Sequence, residues 1–178
     1  MAALSIVIVG AGIGGLTAAL SLAGAGHSVT LIERRTGFSE VGAGLQLSPN
    51  ASAVLIGLGL GGALHRAGDE PPGVTVRALT TGRVVGGIRL GASIRERHGA
   101  PYYVLHRADL QTILLDAVRG RPGIRLCVGR EVSGLGETED GVSLTVRSID
   151  GDRTETLNAD LVIGADGVRS SLRQHFDT

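Results

Sequence analysis

The chain has 178 residues, 43% of them hydrophobic, and its 17 basic residues balance 17 acidic ones for a formal net charge of zero. That length is enough for one ordinary domain with its own core, and the charge balance gives no electrostatic case for nucleic acid or an anionic membrane. The 29 glycines follow no period, which excludes collagen-like and low-complexity classes, and the single cysteine, Cys127, cannot close an internal disulfide, so a reduced, cytoplasmic setting is expected.

The first thirty-four residues organise the rest. A short apolar strand, Leu4 to Val9, runs into Gly10-Ala11-Gly12-Ile13-Gly14-Gly15. An alanine- and leucine-rich helix follows to Ala25, then a second strand, Ser28 to Ile32, ending on Glu33. Strand, glycine turn, helix, strand and acid in this register are the fingerprint of a βαβ dinucleotide site. Gly10 lets the chain leave the strand in a tight turn, and Gly12 lets backbone approach a pyrophosphate with no Cβ in the way. Gly15 allows the helix to pack closely on the sheet. Because the helix begins inside the turn, its unpaired N–H groups and positive dipole end face the phosphates. Glu33 stands where a carboxylate accepts hydrogen bonds from ribose hydroxyls. No Asp, Glu, Lys or Arg occurs between Ala2 and Ile32. Yet no basic segment precedes this run and glycines interrupt it, so neither a signal peptide nor a membrane span fits.

A loop is expected from Thr36 to Pro49, its small residues Val41 to Asn50 suiting backbone that lies close to a ligand. Ser48 or Asn50 is positioned to cap a helix from Ala51 to Leu58, and a second short helix covers Gly61 to Ala67. Gly73 to Leu79 and Arg83 to Leu90 read as a hairpin around Thr80-Thr81-Gly82. Tyr102 to Leu105 is a short strand. Arg107 opens a helix running to about Val118, with Leu110, Ile113, Leu114 and Ala117 as its core-facing stripe. Ile124 to Val128 reads as a third parallel strand carrying Cys127 as a buried residue. Glu131 to Glu137, Gly141 to Ser148 and Thr154 to Asn158 then form an antiparallel meander, signalled by turns at Glu139-Asp140-Gly141 and Asp150-Gly151-Asp152. Leu161 to Gly164 is a further buried strand, and Arg169 to Phe176 starts a helix. His65, His98, His106 and His175 lack metal-ligand spacing, and Ser170-Ser171 lacks the context of a nucleophile elbow.

In this order the pieces resemble the N-terminal half of the single-component, FAD-dependent aromatic hydroxylases, the family that includes salicylate and p-hydroxybenzoate hydroxylases. The match rests on Gly10 to Gly15, on Glu33-Arg34-Arg35, on Leu105-His106-Arg107-Ala108-Asp109-Leu110, and on Gly164-Ala165-Asp166-Gly167-Val168-Arg169-Ser170-Ser171-Leu172-Arg173. The Gly42-to-Ala51 loop adds a fifth segment, closest to the salicylate-hydroxylase branch. The resemblance implies an α/β, Rossmann-like FAD-binding domain of three layers (β/β/α), a parallel sheet plus an antiparallel meander, with the start of a substrate-domain sheet. It assigns residues 1–72 and 99–178 to the FAD-binding domain and the 73–98 hairpin to an incomplete substrate domain.

Carried over residue by residue, the resemblance implies that Gly10, Gly12, Gly14 and Gly15 hold the FAD pyrophosphate. Glu33 binds the adenosine ribose and Arg34 lies beside the adenine. Arg107 reaches FAD, with Gln111 one helical turn on. Val132 contacts adenine through its backbone, Gly44 and Leu45 run near the flavin ring, and Asp166 with Gly167 serves both FAD and NAD(P)H. No side chain of the chain is assigned a catalytic role and no metal is implied. The chemistry belongs to the cofactor: NAD(P)H reduces FAD, O₂ adds to form a flavin C4a-hydroperoxide, and a small aromatic substrate is hydroxylated. Family members continue for about as long again, so the chain reads as a fragment that binds FAD weakly or not at all and does not hydroxylate; a stoichiometric yellow flavin after purification contradicts that expectation. Two other readings stay open, a non-catalytic nucleotide-binding module and another FAD-dependent oxidoreductase. An NAD-dependent dehydrogenase fits the opening turn but not the 131–158 meander followed by Gly164-Ala165-Asp166-Gly167.

Overall fold

Why the opening segment must fold as it does is visible in its burial. Ile6, Val7, Ile8 and Val9 are all buried, so this strand is covered on both faces and shows a continuous apolar run, as a central parallel strand does. The computed structural model describes residues 2–38, 43–151 and 153–175. Its elements run β1 (Ser5–Val9), α1 (Ile13–Gly24), β2 (Ser28–Glu33), β3 (Gly44–Leu47), α2 (Pro49–Gly57), α3 (Gly61–Ala67), β4 (Gly73–Arg77) and β5 (Val84–Arg89). There follow α4 (Ala92–His98), β6 (Tyr103–His106), α5 (Arg107–Arg119), β7 (Ile124–Val128), β8 (Arg130–Thr138), β9 (Gly141–Ser148), β10 (Thr154–Ala159), β11 (Leu161–Gly164) and a 3-10 turn, Leu172–His175. The chain divides into two units, Met1–Ser39 with Leu114–Thr178, and Glu40–Ile113.

In the first unit the described residues form a four-stranded sheet in the order β11-β1-β2-β7, every pair parallel. Helix α1 packs on β1, β2 and β7. It carries no charged residue, and its hydroxyls are satisfied internally: Thr17 donates to the Ile13 carbonyl and Ser21 to the Thr17 carbonyl. On the other face, Val7, Val9 and Ile32 join Val132, Leu144, Val146, Ala159 and Leu172 in one core cluster. The partners from 132 to 159 come from a three-stranded antiparallel sheet, β10-β9-β8. The layers are therefore meander, parallel sheet and helix, the α/β order expected. Each fully buried Leu or Ile here contributes about 1.5–3 kcal/mol relative to exposure. Register then sets the functional edge: Val9 pairs with Ile32 on one side and with Gly164 on the other. Gly10, Glu33 and the 165–167 segment all leave the sheet at the same end.

In the second unit β3 pairs antiparallel with β6, Leu45 opposite Leu105 and Leu47 opposite Tyr103. Residues 44–47 thus form a strand where a loop was expected, and 39–42 of that loop lie outside the described residues. Alternating Leu45 and Leu47 find apolar partners on β6, which outweighs the low strand propensity of the glycines around them. Helix α4, absent from the sequence reading, carries Arg95, whose exposed guanidinium pairs with Glu70 at 2.5 Å, and it closes on Gly99 in the left-handed region. Burial, and then the neighbouring Glu70 carboxylate, push the Tyr103 phenol above its ordinary pKa. Ser48 takes the N-cap position of α2 without a capping bond; its hydroxyl donates instead to the Asn50 side chain at 2.5 Å. Helix α5 buries Leu110 and Leu114, with Ile113 and Ala117 only half-buried. Cys127 is half-buried rather than buried. Of the helix expected from Arg169 to Phe176, the described residues form a 3-10 turn at Leu172–His175, and Phe176 lies outside them. The apolar side chains of the β4–β5 hairpin, Val74, Val76, Val84, Val85 and Ile88, are exposed.

Ser52, on α2, is fully buried and donates to the Pro101 carbonyl at 2.5 Å. Ser52→Ala removes that donor without changing shape much. It is expected to cost about 1–3 kcal/mol, read as a lower denaturant midpoint with an unchanged m-value.

Candidate functional site

The glycine turn sorts its four glycines into two kinds. The Gly10 N–H donates to the Ile32 carbonyl at 2.7 Å, and the Ala165 N–H donates to the Val9 carbonyl at 2.7 Å, fixing the turn between two strands. Gly10 has φ +107°, and a Cβ there would stand 2.3 Å from the Ala165 carbonyl oxygen. A Cβ on Gly15 would stand 1.9 Å from the Gly10 carbonyl oxygen. These two glycines are required by the fold itself. Among the described residues, a Cβ on Gly12 or Gly14 would meet no atom within 4 Å beyond the adjoining chain. Gly12 is also the N-cap of α1; among the described residues no side chain caps it, and no acid lies in the first turn. The helix start therefore presents backbone N–H groups and the positive end of its dipole to open space, the setting in which helices hold phosphate.

Glu33, at the end of β2, closes the other side of this space. One carboxylate oxygen accepts the Ala11 N–H at 2.9 Å and the other accepts the Arg35 N–H at 2.9 Å. A carboxylate has about four acceptor positions, so capacity for hydroxyl donors remains. Arg34 and Arg35 are exposed. The Val132 side chain belongs to the core cluster, and the β8–β9 ladder bulges just after it, between Val132 and Gly134. The structure brings Gly10, Gly12, Gly14, Gly15, Glu33 and Asp166 to one end of the parallel sheet.

Asp166 follows β11 on this edge and Gly167, beside it, is exposed. One Asp166 oxygen accepts the Ser171 N–H at 2.8 Å and the Leu172 N–H at 3.3 Å, capping the 3-10 turn. With Gly14, Ala18, Ile163, Leu172 and Arg173 it lines a groove of about 660 Å³. Burial pushes the Asp166 carboxyl up. The Ser170 side chain and the backbone N–H groups of Leu172, Asp166 and Ser171 outweigh it and hold the group below its ordinary value. A carboxyl depressed by folding contributes stability above its unfolded pKa of about 3.9 and loses it as pH falls through the lower folded value. Asp166→Ala is expected to cost about 1 kcal/mol at pH 7 as a lost cap. The difference from the parent chain should shrink below about pH 4, as measured by urea unfolding at both pH values.

In the second unit, Gly44 pairs with His106 and Leu45 with Leu105. The Arg107 N–H donates to the Ala43 carbonyl at 3.3 Å, and Gln111, one turn along α5, is 6% exposed. Gly44, Leu45 and Arg107 are thus neighbours across the β3–β6 ladder. What sequence reasoning missed is Ala11: it is fully buried and hands its N–H to Glu33. The small residue between the first two glycines was the available signal. Among the described residues, no group of three His, Cys, Asp or Glu is placed to hold a metal, and no helix is long and apolar enough to cross a membrane.

A parallel βαβ unit whose open glycine turn faces a carboxylate at the end of the second strand defines a dinucleotide-binding domain. Residues 3–178 match the FAD binding domain family, and the chain belongs to it. The chain is 42% identical over 172 residues to 3-amino-4-hydroxybenzoate 2-monooxygenase PtnB3 of Streptomyces platensis, covering 94% of this chain and 40% of that protein. It is 34% identical over 168 residues to 3-hydroxybenzoate 6-hydroxylase of Klebsiella oxytoca, covering 94% and 41%. Among solved structures, Klebsiella pneumoniae HpxO complexed with FAD and uric acid superposes with a TM-score of 0.81 at 30% identity, covering 97% of this chain and 41% of that one. The resemblance to FAD-dependent monooxygenases drawn from the sequence holds, and the chain spans about two fifths of the length of the curated relatives it matches.

Proposed function

We propose that this chain supplies the ADP-gripping half of the FAD site in an FAD- and NAD(P)H-dependent monooxygenase that hydroxylates a small aromatic substrate in the cytoplasm. The observation that carries the reading is the uncapped start of α1, where Gly12 and Gly14 leave open space beside Glu33. A Cβ at either glycine would enter the volume a pyrophosphate needs, so the residues present fit the cofactor. The Gly10–Gly15 turn holds the pyrophosphate through backbone N–H groups, Glu33 accepts from the ribose hydroxyls, and Arg34 and the Val132 backbone flank the adenine. Gly44, Leu45, Arg107 and Gln111 are proposed as further FAD contacts, and Asp166-Gly167 as a segment serving FAD and NAD(P)H. Bound FAD would supply the chemistry, taking electrons from NAD(P)H and activating O₂ as a C4a-hydroperoxide, while the chain binds and orients it. Residues 1–72 and 99–178 act as the FAD-binding domain and the 73–98 segment, the β4–β5 hairpin with α4, as part of a substrate region. The names of the relatives support a hydroxybenzoate-like substrate.

The test is a titration of the chain with FAD, followed by NAD(P)H oxidation with a panel of aromatic acids, beside a full-length relative. Weak, ADP-competable FAD binding without aromatic hydroxylation is the expected result for this chain. A folded chain that binds neither FAD nor ADP overturns the reading.

A further inference from the structure

The carboxylate assigned to the ribose is already engaged within the protein. Its two oxygens take N–H groups from two different segments: Ala11 inside the glycine turn and Arg35 beyond the end of β2, each at 2.9 Å. Ala11 is fully buried, so its N–H has no direct access to water and must be satisfied by the protein. The link does not stop at Arg35. The Arg35 carbonyl accepts the Gly129 N–H at 3.0 Å, and the Gly129 carbonyl accepts the Ile149 N–H at 2.9 Å. A continuous chain of hydrogen bonds therefore runs from the glycine turn, through the Glu33 carboxylate, into the meander.

We propose that Glu33 is a positioning residue that latches the glycine turn in its binding geometry before any nucleotide arrives. Its use for cofactor affinity rests on the FAD reading above. A residue serving only the ribose would leave both oxygens directed at the ligand space, whereas here one holds the turn and the other holds the strand exit. The latch keeps the helix-start N–H groups of α1 aimed outward, so that less ordering is needed when a pyrophosphate binds. Glutamine cannot replace it. A carboxamide offers one oxygen and one NH₂ group, so in either orientation Ala11 or Arg35 faces a donor in place of an acceptor.

The experiment is site-resolved amide hydrogen exchange on the nucleotide-free chain, parent and Glu33→Gln, with ADP titrations of both. In the parent, Ala11 and Arg35 should be protected. In Glu33→Gln at least one of them should exchange about tenfold faster or more, as expected for losing a hydrogen bond to a charged acceptor, while Ile8 and Leu31 in the sheet keep their protection. Unprotected Ala11 and Arg35 in the parent overturn the latch, and this holds even if the variant does not fold. Unchanged exchange at both sites in a folded Glu33→Gln that has lost ADP affinity also overturns it, leaving a ribose contact alone. Failure of the parent to bind FAD or ADP would remove the FAD reading while leaving the exchange pattern to decide the latch.

Discussion

Gly15→Ala is expected to unfold the chain or bring it close to unfolding. The added Cβ would lie 1.9 Å from the Gly10 carbonyl oxygen and 3.1 Å from its carbon, and both are backbone atoms that cannot rotate away. Gly10 is itself pinned, its N–H bonded to Ile32 and its neighbour at 165 bonded to Val9. Relief requires α1 to move off β1 and β2, which would open the contacts around Leu16, Ala19 and Leu20, all buried. Overpacking usually costs about 1–3 kcal/mol; a clash with fixed backbone belongs at or above the top of that range. Against a total of about 5–15 kcal/mol, that is a large share, and a melting temperature about 6–12 °C lower or worse is expected for a chain of this size. Gly14→Ala, one residue earlier, is the control. Its Cβ meets no described atom beyond its own helix and chain neighbours and it replaces glycine in a helix, so it should raise stability by about 0.5–1 kcal/mol. Equal stability of the two variants would refute the turn geometry.

Gly12→Val is expected to do the reverse, sparing the fold and removing the ligand. Its backbone, φ −74° and ψ −179°, is extended, a conformation valine adopts freely. Among the described residues a Cβ there meets no atom beyond the adjoining chain, so the fold loses only the mild advantage of glycine over an aliphatic N-cap, about 1 kcal/mol. The branched side chain would project at the helix start, between the N–H groups and an approaching phosphate. Affinity for ADP and FAD should fall about a hundredfold, near 2.7 kcal/mol. A folded Gly12→Val chain with unchanged nucleotide affinity would move the phosphate elsewhere.

The contrast between these glycines also shows what could be read in advance. The turn, both flanking strands and Glu33 were legible because their signals are local: an apolar run, glycines at fixed offsets and an acid at the next strand end. The meander was legible from its turns. Strand β3 was not, because its apolar partner lies far along the chain: Leu45 pairs with Leu105. Helix α4, at seven residues, is too short to give a periodic signal. The same limit applies at the site. Asp166 lies at the sheet's open edge, and its bonds to Ser171 and Leu172 depend on a turn too short for any periodic signal. Glu33 was expected to bind a ribose, and its bond to Ala11 spans twenty-two residues.

Competition between ADP, FAD and riboflavin for this chain decides whether it grips the ADP end of the cofactor. ADP and FAD should displace one another with affinities within about tenfold, a difference under about 1.4 kcal/mol, and riboflavin should displace neither. A folded chain from which riboflavin displaces FAD, or which ADP does not occupy, does not grip the cofactor by its ADP end.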